Sequence, residues 1–303
     1  MKYLNQLEQI LEYTEWSQDE LAQKLEVSFP TLNSWLNQRS TPREKAQKNI
    51  EALFIDIVGS SSVDLKNLTR LKKQVLSFKL SAKDLINDEE LLRKLTLHLT
   101  YHTNNIEGST MTLADVEDVL FENKALANRT AIEQAEARNH QATLHWLIDE
   151  VADKGSRFSI NQELINSIHL RLMNGIISDA GRYRRHSVRI MGSRVATSNW
   201  QSVPQRLDEL MAIDENRTDL ITEIAYFHAQ FEKIHPFSDG NGRTGRLLML
   251  AQALESGTTP PLVAKERKKA YYKYLEIAQT SENYLPLELF IAESIDYSHS
   301  ILN

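Results

Sequence analysis

The chain has 303 residues, a net charge of −6 and a pI near 5.9, with 41% hydrophobic and 25% charged residues. This is the composition of an ordinary globular protein, and its acidity argues against a molecule built as a whole to bind polyanions. The absence of cysteine excludes disulfides, cysteine–zinc sites and thiol catalysis. Because neither a signal peptide nor a transmembrane run is recognisable, we expect a cytoplasmic protein of two domains that does not contact a membrane.

Residues 1–58 have the pattern of a small helical module. Ser17 and Glu20 predict a capping box at the start of one helix, and a second short helix is expected at about residues 29–37. The run SQDELAQKLEVSFPTLNSWLNQRSTP resembles the helix-turn-helix of phage-type repressors. The predicted core residues are Leu32 and Trp35, and the predicted base-facing residues are Thr31, Asn33, Ser34 and Gln38.

The charge of this module weakens the argument for DNA binding. It holds six Lys/Arg against nine Asp/Glu, which is contrary to the usual basic footprint of a DNA-binding domain. DNA contact through residues 17–48 therefore stays open beside a protein-docking or dimerising role. The local basic cluster consists of Arg39, Arg43, Lys45 and Lys48.

A second domain is predicted at residues 67–303, after a polar linker at residues 59–66 that begins with Gly59 and three serines. Helical periodicity runs through nearly all of it, and glycine and proline are scarce. The sequence therefore predicts an all-α protein. The helices with the clearest pattern are expected at 88–101, 131–151 and 160–172.

Residues 181–194, with the sequence GRYRRHSVRIMGSR, are strongly basic. Runs of this kind are usually solvated or bind nucleic acid. Here the β-branched residues around Gly192, followed by Val203 and Pro204, favour a short β-hairpin.

The most informative stretch is His235–Arg246, HPFSDGNGRTGR. Its glycines let the backbone turn tightly, and the apolar run that follows predicts a helix whose N-terminus would bind an anion. Asp239 is a hard oxygen ligand suited to Mg²⁺ beside phosphates, and His235 can take a proton near neutral pH. Arg243 and Arg246 are three residues apart, so both can face one anion.

This stretch resembles the signature of the Fic family, His-Pro-Phe-x-Asp-Gly-Asn-Gly-Arg-x-x-Arg, at every fixed position. The resemblance implies a helical Fic fold and transfer of AMP from ATP to a protein hydroxyl, with His235 as the base and Asp239 binding Mg²⁺. Gly242 differs from the lysine of the related Doc kinases. By position, Phe237 would be an apolar anchor, and the phosphates would be held by Gly240, Asn241, Gly242, Arg243, Thr244, Gly245 and Arg246.

An upstream segment, Thr103-Asn104-Asn105-Ile106-Glu107-Gly108, resembles the inhibitory motif of Fic proteins in which an inhibitory helix precedes the core. The motif residues are Thr103, Glu107 and Gly108. The physical hypothesis is an ion pair between Glu107 and Arg246, which would keep Arg246 from holding a γ-phosphate. In the family the same glutamate can also orient water for AMP removal, and the sequence leaves open which direction dominates.

Two further segments resemble the family's nucleotide-binding surroundings. The basic run resembles the flap that holds a target segment as an added strand, and Ile190, Met191, Gly192 and Ser193 would border ATP. In residues 269–279, Tyr271 or Tyr272 would stack on the adenine and Gln279, where relatives often have Asn, would hydrogen-bond it. A tyrosine pair on an amphipathic helix is otherwise most often core packing.

The sequence thus predicts an ATP- and Mg²⁺-dependent protein adenylyltransferase, inhibited by Glu107, that modifies a Ser, Thr or Tyr hydroxyl of a target protein and of itself. The alternative is a DNA-binding regulator whose Fic domain senses ATP or modifies the regulator, and a silent ATP-binding scaffold is disfavoured by the intact His235 and Asp239. Relatives that use a dimer to control the switch lead us to consider a homodimer.

Overall fold

The computed structural model describes residues 2–14, 16–59, 63–190, 194–212 and 219–303. The regular secondary structure of these residues is helical apart from one isolated β-bridge between Lys79 and Thr258, and it includes three short 3₁₀ turns at Gly155–Arg157, Trp200–Ser202 and Lys265–Arg267. The α-helices of the described residues are α1 (Lys2–Thr14), α2 (Gln18–Lys24), α3 (Phe29–Leu36), α4 (Glu44–Val58), α5 (Leu65–Val75), α6 (Ala82–Asn87), α7 (Glu89–Ile106), α8 (Leu113–Phe121), α9 (Ala131–Lys154), α10 (Gln162–Met173), α11 (Val203–Met211), α12 (Leu220–Ile234), α13 (Asn241–Glu255), α14 (Lys268–Ser281) and α15 (Leu285–Leu302).

The chain divides into two compact units. One comprises Met1–Ser62 with Glu266–Tyr274, and the other comprises Val63–Lys265 with Leu275–Asn303, so the division falls within α14. None of the helices in the described ranges combines the length and the apolar character that a bilayer crossing requires.

The N-terminal unit is built around α1–α4. The capping box predicted at Ser17 is present, because the Ser17 hydroxyl accepts from the Glu20 N–H and the Glu20 carboxylate accepts from the Ser17 N–H. Leu32 and Trp35 are buried, as predicted. Of the residues proposed to face DNA bases, only Gln38 is exposed, and Thr31, Asn33 and Ser34 are partly buried.

The second unit packs α9, α10, α12 and α13 around one apolar core. Three of these helices begin at a side chain that accepts from an N–H group of the first turn: Thr130 caps α9, Asn161 caps α10 and Asp219 caps α12. Helix α13 begins at Gly240 and has no side-chain cap. Helix α13 is buried along nearly its whole length, which explains its apolar run. Such a helix provides a rigid base for the polar side chains at its N-terminal end.

The β-hairpin predicted around Gly192 is not confirmed. Residues 187–190 and 194–199 have no regular secondary structure, and the predicted site residues Met191, Gly192 and Ser193 lie outside the described residues. On the C-terminal side of Gly192, the Ser198 N–H donates to the Lys233 carbonyl, and the Ser198 carbonyl accepts from the Arg184 guanidinium. The Ser198 backbone is therefore bonded to partners other than residues 187–190.

Candidate active site

His235 lies directly after α12 in a left-handed backbone conformation, with φ 51° and ψ 63°. Its ring nitrogen Nδ1 is 3.1 Å from the Glu232 carbonyl oxygen, which can only accept, so Nδ1 carries the proton of the neutral ring. The lone pair is therefore on Nε2. Burial lowers the pKa of His235, which keeps the ring neutral at physiological pH, as a general base requires.

The left-handed turn at His235 is held by Arg184, a residue that the sequence analysis did not single out. Its side chain is 2% exposed, and Nε donates to the His235 carbonyl at 2.7 Å. Nη1 donates to the His186 carbonyl, and Nη2 donates to the carbonyls of Ser198 and Ile234. One guanidinium thus links the backbone of His235 to the backbone of His186 and of Ser198. A lone arginine in a basic run carries no signal of this role.

His169 on α10 supports the next part of the loop. Its ring stacks on Phe237 with centroids 3.6 Å apart, Nε2 donates to the Asp239 carbonyl, and Nδ1 accepts from the Gly181 N–H. Burial lowers the pKa of His169 to about 4, so the ring is neutral, and the two bonds fix its tautomer. Phe237 is fully buried, in agreement with its predicted role as an anchor.

The loop then enters α13 through Gly240, whose φ of 78° suits glycine. The Asn241 side chain folds back on Phe237: Oδ1 accepts from the Phe237 N–H and Nδ2 donates to the Phe237 carbonyl, both at 2.9 Å. The Thr244 hydroxyl donates to the Gly240 carbonyl. These bonds make the N-terminal turn of α13 a fixed cradle, and helix N-termini favour anions.

Arg246, one turn into α13, is 9% exposed and is held from the end of α7. Its Nε donates to the Thr103 hydroxyl at 2.7 Å, and its Nη2 forms a short ion pair with the Glu107 carboxylate. The pair predicted from the sequence is therefore present. A Cβ on Gly242 would collide with the Glu107 carboxylate, so this carboxylate lies against the first turn of α13, where an anion would bind.

Arg243 is paired with a different helix. Its Nη1 lies 2.6 Å from the carboxylate of Glu136 on α9, and its side chain is 3% exposed. Glu136 was not predicted, because nothing in the sequence of α9 distinguishes it from other helical glutamates. Both arginines of the motif are thus already bound to carboxylates in this structure.

Asp239 has the exposure expected of a metal ligand. Its side chain is 64% exposed, Oδ1 accepts from the Gly240 N–H, and Oδ2 is 3.9 Å from Arg243. No group of three or more His, Asp or Glu side chains in the described ranges could hold a metal ion. A single exposed carboxylate fits Mg²⁺, which keeps several waters and takes its other ligands from substrate phosphates.

Glu232 is a buried acid beside the base that the sequence analysis missed. Its Oε2 is 3.9 Å from His235 Nδ1, and a Cβ on Gly245 would lie only 2.7 Å from its Oε1. Burial raises the pKa of Glu232 to about 8, with the Glu107 charge raising it and Arg246 lowering it. Glu232 is therefore a neutral carboxylic acid near pH 7. The requirement for glycine at position 245 follows from this close approach.

The residues predicted to border the adenine differ in their exposure. Gln279 is buried, and its Nε2 donates to the Ala229 carbonyl inside the protein. Tyr271 is buried and Tyr272 is partly exposed; both lie in the N-terminal unit, and a role in stacking on adenine stays a prediction. Ile190, within the basic segment, is partly buried.

Solved structures with a similar fold are Fic proteins. The chain aligns with Fic-1 (aa134–508) from C. elegans with a TM-score of 0.64 and 22% identity, covering 94% of this chain and 84% of that one. It aligns equally well, at TM-score 0.64 and 20% identity, with a Fic domain containing signaling protein from Bacteroides thetaiotaomicron, covering 78% and 94% of the two chains. The fold therefore places the molecule among all-helical Fic-fold proteins.

The sequence comparison defines the domain more closely. Residues 159–253, which contain α10–α12, most of α13 and the whole motif, match the model of the Fic/DOC family. The chain is 28% identical over 196 residues to the protein adenylyltransferase Fic of Drosophila persimilis and 29% identical over 202 residues to that of Culex quinquefasciatus. Each match covers 64% of this chain but only 38% and 39% of the relatives' length.

Proposed function

We propose that this protein is a Mg²⁺- and ATP-dependent adenylyltransferase that modifies protein hydroxyl groups and is restrained by Glu107. The observation that carries the proposal is the position of the Glu107 carboxylate, on Arg246 and against the first turn of α13. That turn also follows directly from the base His235 and the carboxylate Asp239. A base, an anion cradle and a competing anion thus meet at one helix end.

The base step follows from the tautomer of His235. The hydroxyl of a Ser, Thr or Tyr side chain gives its proton to Nε2 while its oxygen forms a bond to the α-phosphorus of ATP. The bond between the α-phosphorus and the bridging oxygen breaks, and pyrophosphate leaves with that electron pair. The Nδ1–H bond to the Glu232 carbonyl holds the ring and stabilises the charge that it acquires.

The remaining residues of the site would position ATP. The N–H groups of the first turn of α13 and the guanidinium groups of Arg243 and Arg246 would bind the phosphates, leaving the α-phosphorus in line with the hydroxyl. Asp239 would hold Mg²⁺, which neutralises phosphate charge when bound.

Inhibition follows from competition for Arg246. While Glu107 and Thr103 hold this guanidinium, it is not available to a γ-phosphate, and the Glu107 carboxylate repels a second anion at the same turn. The same carboxylate would be placed to orient water for removal of AMP from a modified protein, so one residue would control both directions.

The test is incorporation of label from [α-³²P]ATP with Mg²⁺, with and without a cell lysate as a source of targets. We expect Glu107→Gly to incorporate at least about ten-fold more label than the parent, since 1.4 kcal/mol of lost competition corresponds to a factor of ten. Adding His235→Ala should remove the label. Glu122→Gly is the matched control, because Glu122 is the exposed glutamate that caps the C-terminus of α8 as Glu107 caps α7.

Two results would contradict the proposal in different ways. If Glu107→Gly incorporated no more label than Glu122→Gly, inhibition by Glu107 would be wrong. If no variant transferred AMP to itself or to any lysate protein, the transfer reaction itself would be wrong.

For the N-terminal unit we propose a helix-turn-helix module that binds DNA through residues 17–48. Helices α2 and α3 are each capped by a serine, Ser17 and Ser28, and the turn between them passes through Glu26 in a left-handed conformation. The exposed Gln38 and the basic cluster that includes Arg39 and Arg43 follow α3.

A gel shift at low salt with DNA from upstream of the protein's own gene tests this module. Binding that weakens on Gln38→Ala and Arg39→Ala would support DNA recognition. Absence of a shift, together with a concentration-dependent mass in sedimentation, would favour a dimerising role, which would also account for a homodimer.

A further inference from the structure

The segment that follows Glu107 is fastened to the start of α9 by one carboxylate. Helix α7 ends at Ile106, Glu107 is its C-cap, and Gly108 follows with a φ of 108°. Two residues later, the Thr110 N–H donates to Glu133 Oε1 at 2.7 Å and the Thr110 hydroxyl donates to the same oxygen at 2.9 Å. The Ser109 hydroxyl also points to this oxygen, at 3.4 Å.

The two carboxylate oxygens of Glu133 accept hydrogen bonds from different segments. Oε2 accepts from the N–H and hydroxyl of Thr130, at 3.1 and 2.8 Å, and so completes the capping box of α9. Oε1 accepts only from Ser109 and Thr110, which follow Glu107 in the chain, among the bonds of the described residues. A capping box needs only the first set of bonds, so the second set has no role in forming α9.

Charge reinforces this link. The hydrogen bonds from Thr110 and Thr130 lower the pKa of Glu133 to about 2, so its carboxylate is ionised throughout the physiological range. Charge-assisted hydrogen bonds of this kind are about twice as strong as neutral ones. Arg129 also faces the Thr110 hydroxyl, with Nη1 at 3.2 Å, while its Nε and Nη2 bind Asp115.

The hydrogen bonds between Thr110 and Glu133 lie close enough to Glu107 in the chain to affect its position. Only Gly108 and Ser109 separate Glu107 from Thr110, and the N–H···O bond that closes the last turn at Glu107 is long, at 3.4 Å to the Thr103 carbonyl. The Gly108 and Ser109 N–H groups return to carbonyls of α7, at 3.2 and 2.9 Å. Thr110 is therefore the first residue beyond Glu107 whose N–H leaves α7, and its acceptor is Glu133. One turn along α9 from Glu133, Glu136 binds Arg243, so α9 is itself fixed against the motif helix.

We propose that Glu133 is a positioning residue for the inhibitory glutamate: its Oε1 anchors Ser109 and Thr110 to α9 and thereby keeps the Glu107 carboxylate on Arg246. The inference rests on the proposed inhibition by Glu107. Loss of the anchor frees the end of α7 to withdraw Glu107 while every residue of the motif stays intact.

The experiment compares Glu133→Ala with Thr130→Val in the full chain, each with and without Glu107→Gly. Thr130→Val removes hydroxyl bonds of the cap but none of the bonds to Oε1, and is the matched control. We expect Glu133→Ala to raise AMP incorporation about ten-fold and Thr110→Val, which loses one of the anchor's bonds, to raise it less. In the Glu107→Gly background Glu133→Ala should add nothing, because no carboxylate remains to be positioned.

Hydrogen exchange gives a readout that does not depend on activity. In Glu133→Ala the amides of residues 107–110 should exchange at least about ten-fold faster than in the parent, and in Thr130→Val they should not. Equal exchange and activity in these two variants would show that only the cap matters and would overturn the proposal. If Glu107→Gly is active and Glu133→Ala is not, the anchor is wrong while the proposed function stands.

If Glu107→Gly is itself no more active than the parent, inhibition by Glu107 is wrong and the inference falls with it. That result is distinguished from failure of the anchor alone by the activity of Glu107→Gly.

Discussion

The two arginines at the start of α13 are bound by carboxylates in different ways. Arg243 pairs with Glu136, which lies inside the continuous helix α9, and both side chains are largely buried. Arg246 pairs with Glu107, which lies at the very end of α7, is 29% exposed and is followed by a glycine. The chemistry of the two pairs is the same, but the backbones that carry the two carboxylates are not.

This difference assigns different roles to the two pairs. The backbone at Glu136 lies inside α9 and cannot shift without opening that helix, so Glu136 can leave Arg243 only by a change of side-chain rotamer, which would strand a buried cation. A carboxylate on a helix end can move by a rotation at Gly108 and Ser109, since helix ends open at low cost. Only the Arg246 pair is therefore suited to be a switch.

The largest expected contrast is in stability. Glu136→Ala leaves the buried Arg243 cation with Asp239 at 3.9 Å as its nearest carboxylate and should lower the free energy of unfolding by about 3 kcal/mol. Glu107→Ala should cost only about 1 kcal/mol, because Glu107 is partly solvated and Thr103 still holds Arg246. Urea unfolding followed by circular dichroism measures both. Equal losses would remove the distinction between a fixed pair and a switchable one.

Two glycines of α13 offer a steric test of the same contrast. In Gly242→Ala the new methyl group would meet the Glu107 carboxylate and Arg246, whereas in Gly245→Ala it would meet Glu232 and His228. Both changes should cost about 1–3 kcal/mol by overpacking. Only Gly242→Ala should displace Glu107, which faster hydrogen exchange at residues 107–110 would reveal. Exchange that changed equally in both variants would contradict this placement.

The last contrast is a pH dependence of stability. Since burial raises the pKa of Glu232 from 4.5 to about 8, the native state keeps a proton that the unfolded chain releases. The contribution is fully favourable below pH 4.5 and is lost as pH rises towards 8. Glu232→Gln should abolish this loss, which urea midpoints between pH 5 and 8 measure.

The same pH measurement separates the two pairs. The Glu107 charge helps to raise the pKa of Glu232, while Glu136 has no part in it. Glu107→Gln should therefore reduce the loss of stability with rising pH, and Glu136→Gln should leave its slope unchanged. If the pH dependence of stability changed in Glu136→Gln, the Arg243–Glu136 pair would influence the pKa of Glu232, which would contradict this prediction.

Short-range patterns account for what could be predicted. The capping box at Ser17, the helix over the apolar run that follows Arg246, and the burial of Leu32, Trp35 and Phe237 all depend on residues a few positions apart, where spacing determines contact. The ion pair of Glu107 with Arg246 joins residues far apart in the chain. It was accessible only because both ends lie in motifs that resemble a known family.

The residues that were missed lack such a pattern. Arg184, His169, Glu136 and Glu232 are single polar residues on otherwise ordinary segments, and each acquires its role from a partner brought close by folding. The predicted hairpin is not confirmed, for a related reason. Its β-branched residues favour a strand, but the backbone groups of Ser198 are used by Arg184 and Lys233.

The sequence by itself determined the all-helical class and the motif from His235 to Arg246, with its proposed base and the two arginines proposed to bind phosphates, because these depend on local spacing and on residue chemistry. The tertiary structure decided which carboxylate each arginine meets, which nitrogen of His235 carries its proton, and how the segment behind Glu107 is anchored. Those properties depend on burial and on distances of a few ångströms between residues of different helices, and only packing sets such distances.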